Sequence, residues 1–324
     1  MAQPAKPAES IPWFDLQSAT IGYRYRSQEN NAGTRTQFWS EHQQTFRARL
    51  KLDRAAHYTV TAFASNGDQF IASWNPRGLN DHMSNRVYLK QLYLSAKPMS
   101  GVELQVGSIP IVRGESTEIT TYDADGYITG ERLTISRPKD LGLDDITVTM
   151  AYFGDMKLPS VNRRWSRMSD NNYRQLLARK KLGARSTVSA EFTDDDGEHT
   201  LREGVTFKPA AGVEIVRLEA YERPGDRSGS GFSASIEKPV RNVRIVAGYA
   251  DIDRLYRPVN GDRYGRGKRV FFSGTMTVHK DITVQLFATR ALDDDLAMPN
   301  RNRFDLLVRY DFASMLRSGL PLRH

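Results

Sequence analysis

The sequence predicts an all-β fold, a transmembrane antiparallel up-and-down β-barrel of about sixteen strands with short periplasmic turns and longer extracellular loops. Three observations carry that expectation. A tight-turn motif recurs along the chain. Apolar and polar residues alternate with period two between the turns. The alternating segments run about 9–13 residues, whereas soluble strands average about 5–6 and a tilted membrane strand needs about 9–11.

The turn motif joins a Lys or Arg, a Pro and a few turn residues ending at Gly or Asn. It occurs at Ala96–Val102, Ser136–Gly142, Phe207–Val213 and Glu237–Val243. Proline cannot donate to a sheet ladder, and Gly or Asn tolerates positive φ, so each is a reversal between strands. Asp53–Ala56, Lys181–Arg185 and His279–Asp281 extend the series without proline. Seven short turns with both termini on the same side require sixteen strands.

The strands follow in order. Segment 15–27 sets Ile21, Tyr23 and Tyr25 against Arg24 and Arg26, and 38–52 sets Phe46, Ala48, Leu50 and Leu52 against Arg47, Arg49 and Lys51. After 57–65, segment 85–97 carries Lys90 inside the stripe of Tyr88, Leu92 and Leu94, which marks a bulge or a protomer contact. Segments 102–110 and 127–137 precede 145–154, where Ile146, Val148, Met150 and Tyr152 oppose Thr147 and Thr149. Segment 172–181 is ambiguous in phase. In 186–194, Val188, Ala190 and Phe192 oppose Ser189 and Glu191. Segment 198–208 places Glu203 between Leu201 and Val205, the second bulge or contact candidate. Segments 213–222 and 229–238 lead to 243–253, where Val243, Ile245, Ala247 and Tyr249 oppose Arg244 and Gly248. In 267–279, Val270, Phe272, Met276 and Val278 oppose Arg269, Ser273, Thr275 and Thr277; 281–290 follows. The last strand, 302–312, separates Phe304, Leu306, Val308, Tyr310 and Phe312 from Arg303, Asp305, Arg309 and Asp311.

Aromatic residues gather at the ends of the apolar stripes. Tyr58, Phe207, Tyr310 and Phe312 lie towards the turns, and Tyr23, Tyr152, Phe192, Tyr249 and Phe304 towards the loops, as two interfacial girdles.

Composition narrows the function. The chain is 39% hydrophobic and 26% charged, with a mean hydropathy of −0.55. It has no apolar run of about 18 residues, which excludes a transmembrane helix and leaves a barrel open. Cysteine is absent, so there are no disulfides and no thiolate chemistry. The six histidines show no metal-ligand spacing, no nucleophile elbow or phosphate loop occurs, and neither a cofactor, a metal site nor an enzymatic activity is expected. The Asp194–Asp196 and Asp293–Asp295 runs are either solvated turns or rim sites for divalent cations bridging lipopolysaccharide phosphates. The net charge is +8, but the basic residues are spread along strands, which fits a positive lumen better than nucleic acid.

Residues 1–12 lack the apolar stretch of a signal peptide and read as a mature start behind an added Met, a flexible periplasmic tail. The barrel is expected over 13–312, with a short periplasmic extension over 313–324.

The long connections are about 28–37, 66–84, 111–126 and 155–171, two short ones, then 254–266 and 291–301. The third loop carries Glu115, Glu118, Asp123 and Asp125 against the single Arg113. The inward face carries Arg24, Arg47, Arg49, Arg132, Arg202, Arg217, Arg244, Arg269 and Arg309. An acidic loop folded against that basic wall makes a transverse field in a constriction. The alternative is an acidic surface loop, with the arginines paired to Glu103, Glu191, Glu219, Asp305 and Asp311.

On this pattern the chain resembles the sixteen-stranded bacterial outer-membrane porins. Tyr88-Leu89-Lys90-Gln91-Leu92-Tyr93-Leu94, followed by Leu104-Gln105-Val106-Gly107 and Arg113-Gly114, is also similar to the alginate-export and phosphate-selective porins. The resemblance implies an outer-membrane channel for passive diffusion of small polar solutes, in contact with lipid and lipopolysaccharide and compatible with a homotrimer, and the arginine wall of the lumen is expected to favour anionic ones. Phe312 stands where the terminal aromatic of the assembly signal is expected, though the chain continues for twelve residues from Ala313 to His324. The rival readings are a plugged barrel serving as an anchor or assembly partner, and an outer-membrane hydrolase.

Overall fold

A computed structural model describes residues 13–30, 32–66, 75–77, 87–115, 127–138, 141–153, 161–209, 213–225, 228–253, 267–293 and 302–319. The strands are β1 (Phe14–Glu29), β2 (Arg35–Lys51), β3 (Tyr58–Asn66), β4 (Asn75–Arg77), β5 (Val87–Met99), β6 (Val102–Pro110), β7 (Tyr127–Ser136), β8 (Asp145–Tyr152) and β9 (Tyr173–Leu182). The second half holds β10 (Ser186–Asp195), β11 (Glu198–Phe207), β12 (Ile215–Arg223), β13 (Gly229–Val240), β14 (Val243–Ile252), β15 (Gly267–His279), β16 (Ile282–Ala291) and β17 (Asn302–Asp311). Two short helices complete the described chain, α1 (Val161–Trp165) and α2 (Ala313–Gly319).

Each long strand pairs antiparallel with its neighbours in sequence. β1 also pairs with β17, from Thr20 opposite Asp311 to Glu29 opposite Asn302, so the sheet closes. β4 is the exception: among the described residues it pairs only with the loop-side part of β2, Ser40 opposite Arg77. The result is a closed barrel of sixteen long strands with β4 as an appendage in the second loop. Closure removes the free strand edges that a membrane would not tolerate.

The faces are inverted relative to a soluble protein. Ile21, Phe46, Leu94, Leu133, Val148, Leu176, Leu218, Phe272 and Leu306 are exposed on the outside. Their neighbours of opposite phase, including Gln43, Ser95, Arg132, Thr149, Gln175, Glu191 and Asp305, are buried inside. This settles the phase of the strand around 172–181, where Leu176 points out and Gln175 and Leu177 point in. Among the expected girdle residues, Tyr58, Phe207, Tyr310, Tyr23, Phe192 and Phe304 are exposed. Tyr152 is covered, its ring lying beneath the guanidinium groups of Arg164 and Arg167.

The turns adopt left-handed backbone where the reversals need it. Gly101 sits at φ +82°, and a Cβ there would press on the Ser136 carbonyl. In the β13–β14 turn the left-handed residue is Arg241, at φ +56°, not the Asn that ends the motif. In the β7–β8 turn Arg137 is also left-handed, at φ +51°.

Of the two stripe anomalies, Lys90 is a bulge. The β3–β5 register jumps from Phe63 opposite Gln91 to Ala64 opposite Leu89, leaving Lys90 as the extra residue, fully buried. Glu203 lies in unbroken register between Ala190 and Ala220 and is exposed on the outer face.

α2 folds back on the outside of β1. Leu16 and Ala19 point outward by phase, yet both are buried, packed with Ala313, Phe14, Phe312 and Leu316. The Phe312 amide donates to the Ala19 carbonyl at 2.9 Å, and Asp311 Oδ1 accepts from the Ala313 amide at 2.9 Å.

Candidate functional site in the barrel lumen

Strand register decides which charges meet on the inner wall. Residues directly opposite on adjacent strands share a face and interact. Arg24 faces Glu41 across β1 and β2 and pairs with it. Arg26 faces Asp305 across the closing seam, at 3.0 Å, and Arg303 reaches the same carboxylate at 2.7 Å. Arg49 meets Asp15 at 2.7 Å. Arg202 meets Glu191 at 2.8 Å, with only 5% and 4% of the two side chains exposed. Arg217 and Arg244 converge on Glu237 at 2.9 and 3.2 Å. Arg132 is held by neutral acceptors instead, its guanidinium donating to Thr149 Oγ1, Gln105 Oε1 and the Pro110 carbonyl. Arg269 is buried on the same inner face. Arg47 donates to Gln91 Oε1 at 3.3 Å and stacks 4.7 Å over the Phe63 ring. Arg309 is exposed.

The first residues of the third loop turn inward after β6. Gln175 Nε2 donates to the Val112 carbonyl at 2.8 Å, and Arg179 donates to the Arg113 carbonyl at 3.2 Å. The Gly114 amide donates to Glu191 Oε2 at 3.3 Å, and the Glu115 amide to Ser189 Oγ at 2.7 Å. These partners are inner-face residues of β9 and β10, three and four strands along from β6 in the sheet. Two glycines make room. A Cβ on Gly114 would overlap Ser189, and one on Gly204 of β11 would overlap the Glu115 carbonyl. An apolar pad of Ile109, Ile111, Ile128, Ala151 and Tyr173 anchors the base of the crossing. Glu118, Asp123 and Asp125 lie outside the described residues.

α1, in the fourth loop, lies against the loop-side ends of β5, β6 and β7. Its Arg164 sits 4.0 Å over the Tyr127 ring and donates to the Tyr152 carbonyl at 3.3 Å. Burial pulls this guanidinium below the ordinary arginine value, and Tyr127 partly offsets the shift. On the turn side the lumen opens into a concavity of about 380 Å³ bordered by β1, β2, β3, β16 and β17.

Several partners of the wall escaped the sequence reading: Asp15, Glu41, Glu237, Ser189 and Gln175. Their signal was the hairpin register, which pairs Arg24 with Glu41 once the length of the first loop is known. Of the acids named for pairing, Glu191 and Asp305 do pair with arginines. Glu103 instead accepts from Ser95 and Gln105. Asp194 accepts from the Gly197 amide within its own turn, and among the described residues no group of His, Asp or Glu forms a metal-sized cluster.

No protein-family model and no curated protein matches the chain. Solved structures do. A quintuple mutant of the Rh. blastica porin superposes with a TM-score of 0.61 at 12% identity, covering 92% of this chain and all of that one. A triple mutant of the Rhodopseudomonas blastica porin gives 0.59 at 12% identity over the same shares. Salmonella typhi OmpF, in a complex with daunomycin, gives 0.59 at 11% identity and covers 92% of this chain and 97% of its own. Closed by β1 against β17 and matched along nearly its whole length, the chain has the sixteen-stranded barrel fold of the bacterial outer-membrane porins.

Proposed function

We propose that this protein is an outer-membrane channel that passes small polar solutes by diffusion, favouring anions, without catalysis. The observation that carries this reading is an inner wall made of polar and charged side chains inside a closed sixteen-stranded barrel, a size at which side chains alone no longer fill the interior. The balance of charges supports the preferred sign. Asp305 and Glu237 each serve two arginines, and Arg47, Arg132 and Arg309 form no ion pair among the described residues. The wall of Arg24, Arg47, Arg49, Arg132, Arg202, Arg217, Arg244, Arg269 and Arg309 therefore keeps a positive excess. The third loop, with Glu115, Glu118, Asp123 and Asp125, is the candidate constriction, and the inward course of residues 111–115 supports it. In this reading solutes are sorted by size and by the field across the gap. The outer face would contact lipid and lipopolysaccharide, singly or as a homotrimer, and the mature chain would reside in the bacterial outer membrane.

Planar-bilayer recording of the purified chain tests the proposal. Discrete conductance steps with an anion-biased reversal potential in a KCl gradient are expected. A second reading, a plugged barrel used as an anchor, rests on the buried apolar cluster of Tyr221, Ala250, Ile252, Phe271 and Phe287 on the inner face. A folded barrel that stays silent in the bilayer would favour that reading and overturn the channel.

A further inference from the structure

We propose that the turn-side half of the lumen contains an oxyanion-binding step built on Arg47 and Arg309, which takes a small carboxylate or phosphate. The proposal rests on the channel reading and names the solute chemistry for one part of it. Most wall arginines are spent on carboxylates. Arg309 has no ion pair among the described residues, and Arg47 has only Gln91 Oε1 and the face of Phe63. Both line the same concavity of about 380 Å³.

The sheet register explains the hollow. Gly22 lies between Gln43 on β2 and Arg309 on β17, so the wall lacks a side chain beside that guanidinium. One step towards the turns, Thr20 and Thr45 face each other with their hydroxyls 2.7 Å apart. Thr283 is the cross-strand partner of Arg309. Because one hydroxyl of the Thr20–Thr45 pair donates to the other, the floor offers two guanidinium groups and two hydroxyl protons, one from that pair and one from Thr283, as donors for an anion's oxygens.

Two carboxylates also border the concavity, and both are engaged elsewhere. Asp311 Oδ1 accepts from the Ala313 amide at 2.9 Å and the Ala19 amide at 3.4 Å. Asp281 Oδ1 accepts from the Ser314 hydroxyl at 3.1 Å, and its other oxygen lies 3.9 Å from Lys280 Nζ. The acids hold α2 and the last turn, while the arginines remain available. An open site of this kind binds weakly, with a dissociation constant on the order of millimolar, and a conducting path needs occupants that leave.

The test records the full-length chain in KCl and titrates inorganic phosphate, and separately acetate, on the turn side. Both should lower the conductance in a saturable way. In R47Q/R309Q the concentration for half effect should rise at least about tenfold, while R54Q, on the β2–β3 turn, responds like the parent. Equal sensitivity of the double variant and the parent overturns the site. So does glycine acting as strongly as acetate, because a zwitterion would then be using Asp281 and Asp311. If the double variant does not assemble, R309Q alone, at an exposed side chain, carries the comparison. A barrel silent in KCl overturns the channel reading separately. Calorimetric titration of the detergent-solubilised chain with phosphate then decides the site, with binding lost in the variant in favour and no binding to the parent against.

Discussion

At the scale of single residues, Glu191 joins three partners from different parts of the inner wall. It accepts from Arg202, from Gln175 Nε2 at 3.1 Å and from the Gly114 amide, so one carboxylate ties β9, β10 and β11 to the base of the third loop. Removing one partner of a buried pair leaves the other charge uncompensated, at about 3–5 kcal/mol. E191A should therefore lower stability by about that amount in chemical unfolding followed by tryptophan fluorescence, and R202M/E191A should recover part of it. A loss under about 1 kcal/mol would mean that water already solvates the pair. Glu203 makes the opposite case. Its carboxylate sits among alanines on the outer face, where a lipid-facing charge costs less than the roughly 2–4 kcal/mol of a basic side chain at the midplane. E203L should stabilise the folded barrel by about 1–2 kcal/mol in lipid vesicles. If it destabilises, or breaks an oligomer seen by cross-linking, the residue serves a protein contact instead.

At the scale of elements, the long strands were legible because two independent patterns agree on them, the period of two and the spacing of the turns. Their phase was legible too, except around 172–181, since a one-residue slip would put the inward arginines on the outside. The features that escaped are those no periodicity encodes. β4 has three residues and α1 five, too short to show a pattern. The bulge at Lys90 showed only as a charge in the wrong stripe, and the same sign at Glu203 has another cause. The course of α2 was also hidden, because Ala313–Gly319 reads as a plain extension after Phe312. By covering Leu16 and Ala19 it clasps the outer side of β1 beside the closing seam. A chain ending at Phe312 keeps the whole ladder and loses the clasp. The change should cost about 1–3 kcal/mol, from one or two hydrogen bonds and part of a leucine's burial. The measurement is the temperature at which the folded band on a detergent gel converts to the unfolded one. An unmoved transition would assign α2 no part in holding the seam.

At the scale of the whole molecule, closure turns separate stretches of sequence into one electrostatic surface. Arg26 and Asp305 stand 279 positions apart and meet only because β1 pairs with β17. Strand phase names the arginines expected on the inner face, but it does not name the acids that meet them. That depends on exact hairpin register, on the jumps at Leu16/Ser18 and at Lys90, and on the seam. On the proposed channel reading the wall is a lattice of pairs with a modest positive excess, and this shapes the selectivity to be expected. Paired charges a few ångströms apart cancel beyond their own separation, so an anion preference would come from the few unneutralised groups, acting across open water. Such a field is screened with the Debye length, about 10 Å at 0.1 M salt and about 3 Å at 1 M. The anion-to-cation permeability ratio should therefore exceed one near 0.1 M KCl and fall towards one near 1 M, as read from reversal potentials at a fixed concentration ratio. A ratio independent of ionic strength would place selectivity in direct contacts at a narrow filter. A cation preference would mean that the acids of the third loop, rather than the arginine wall, set the sign of the field.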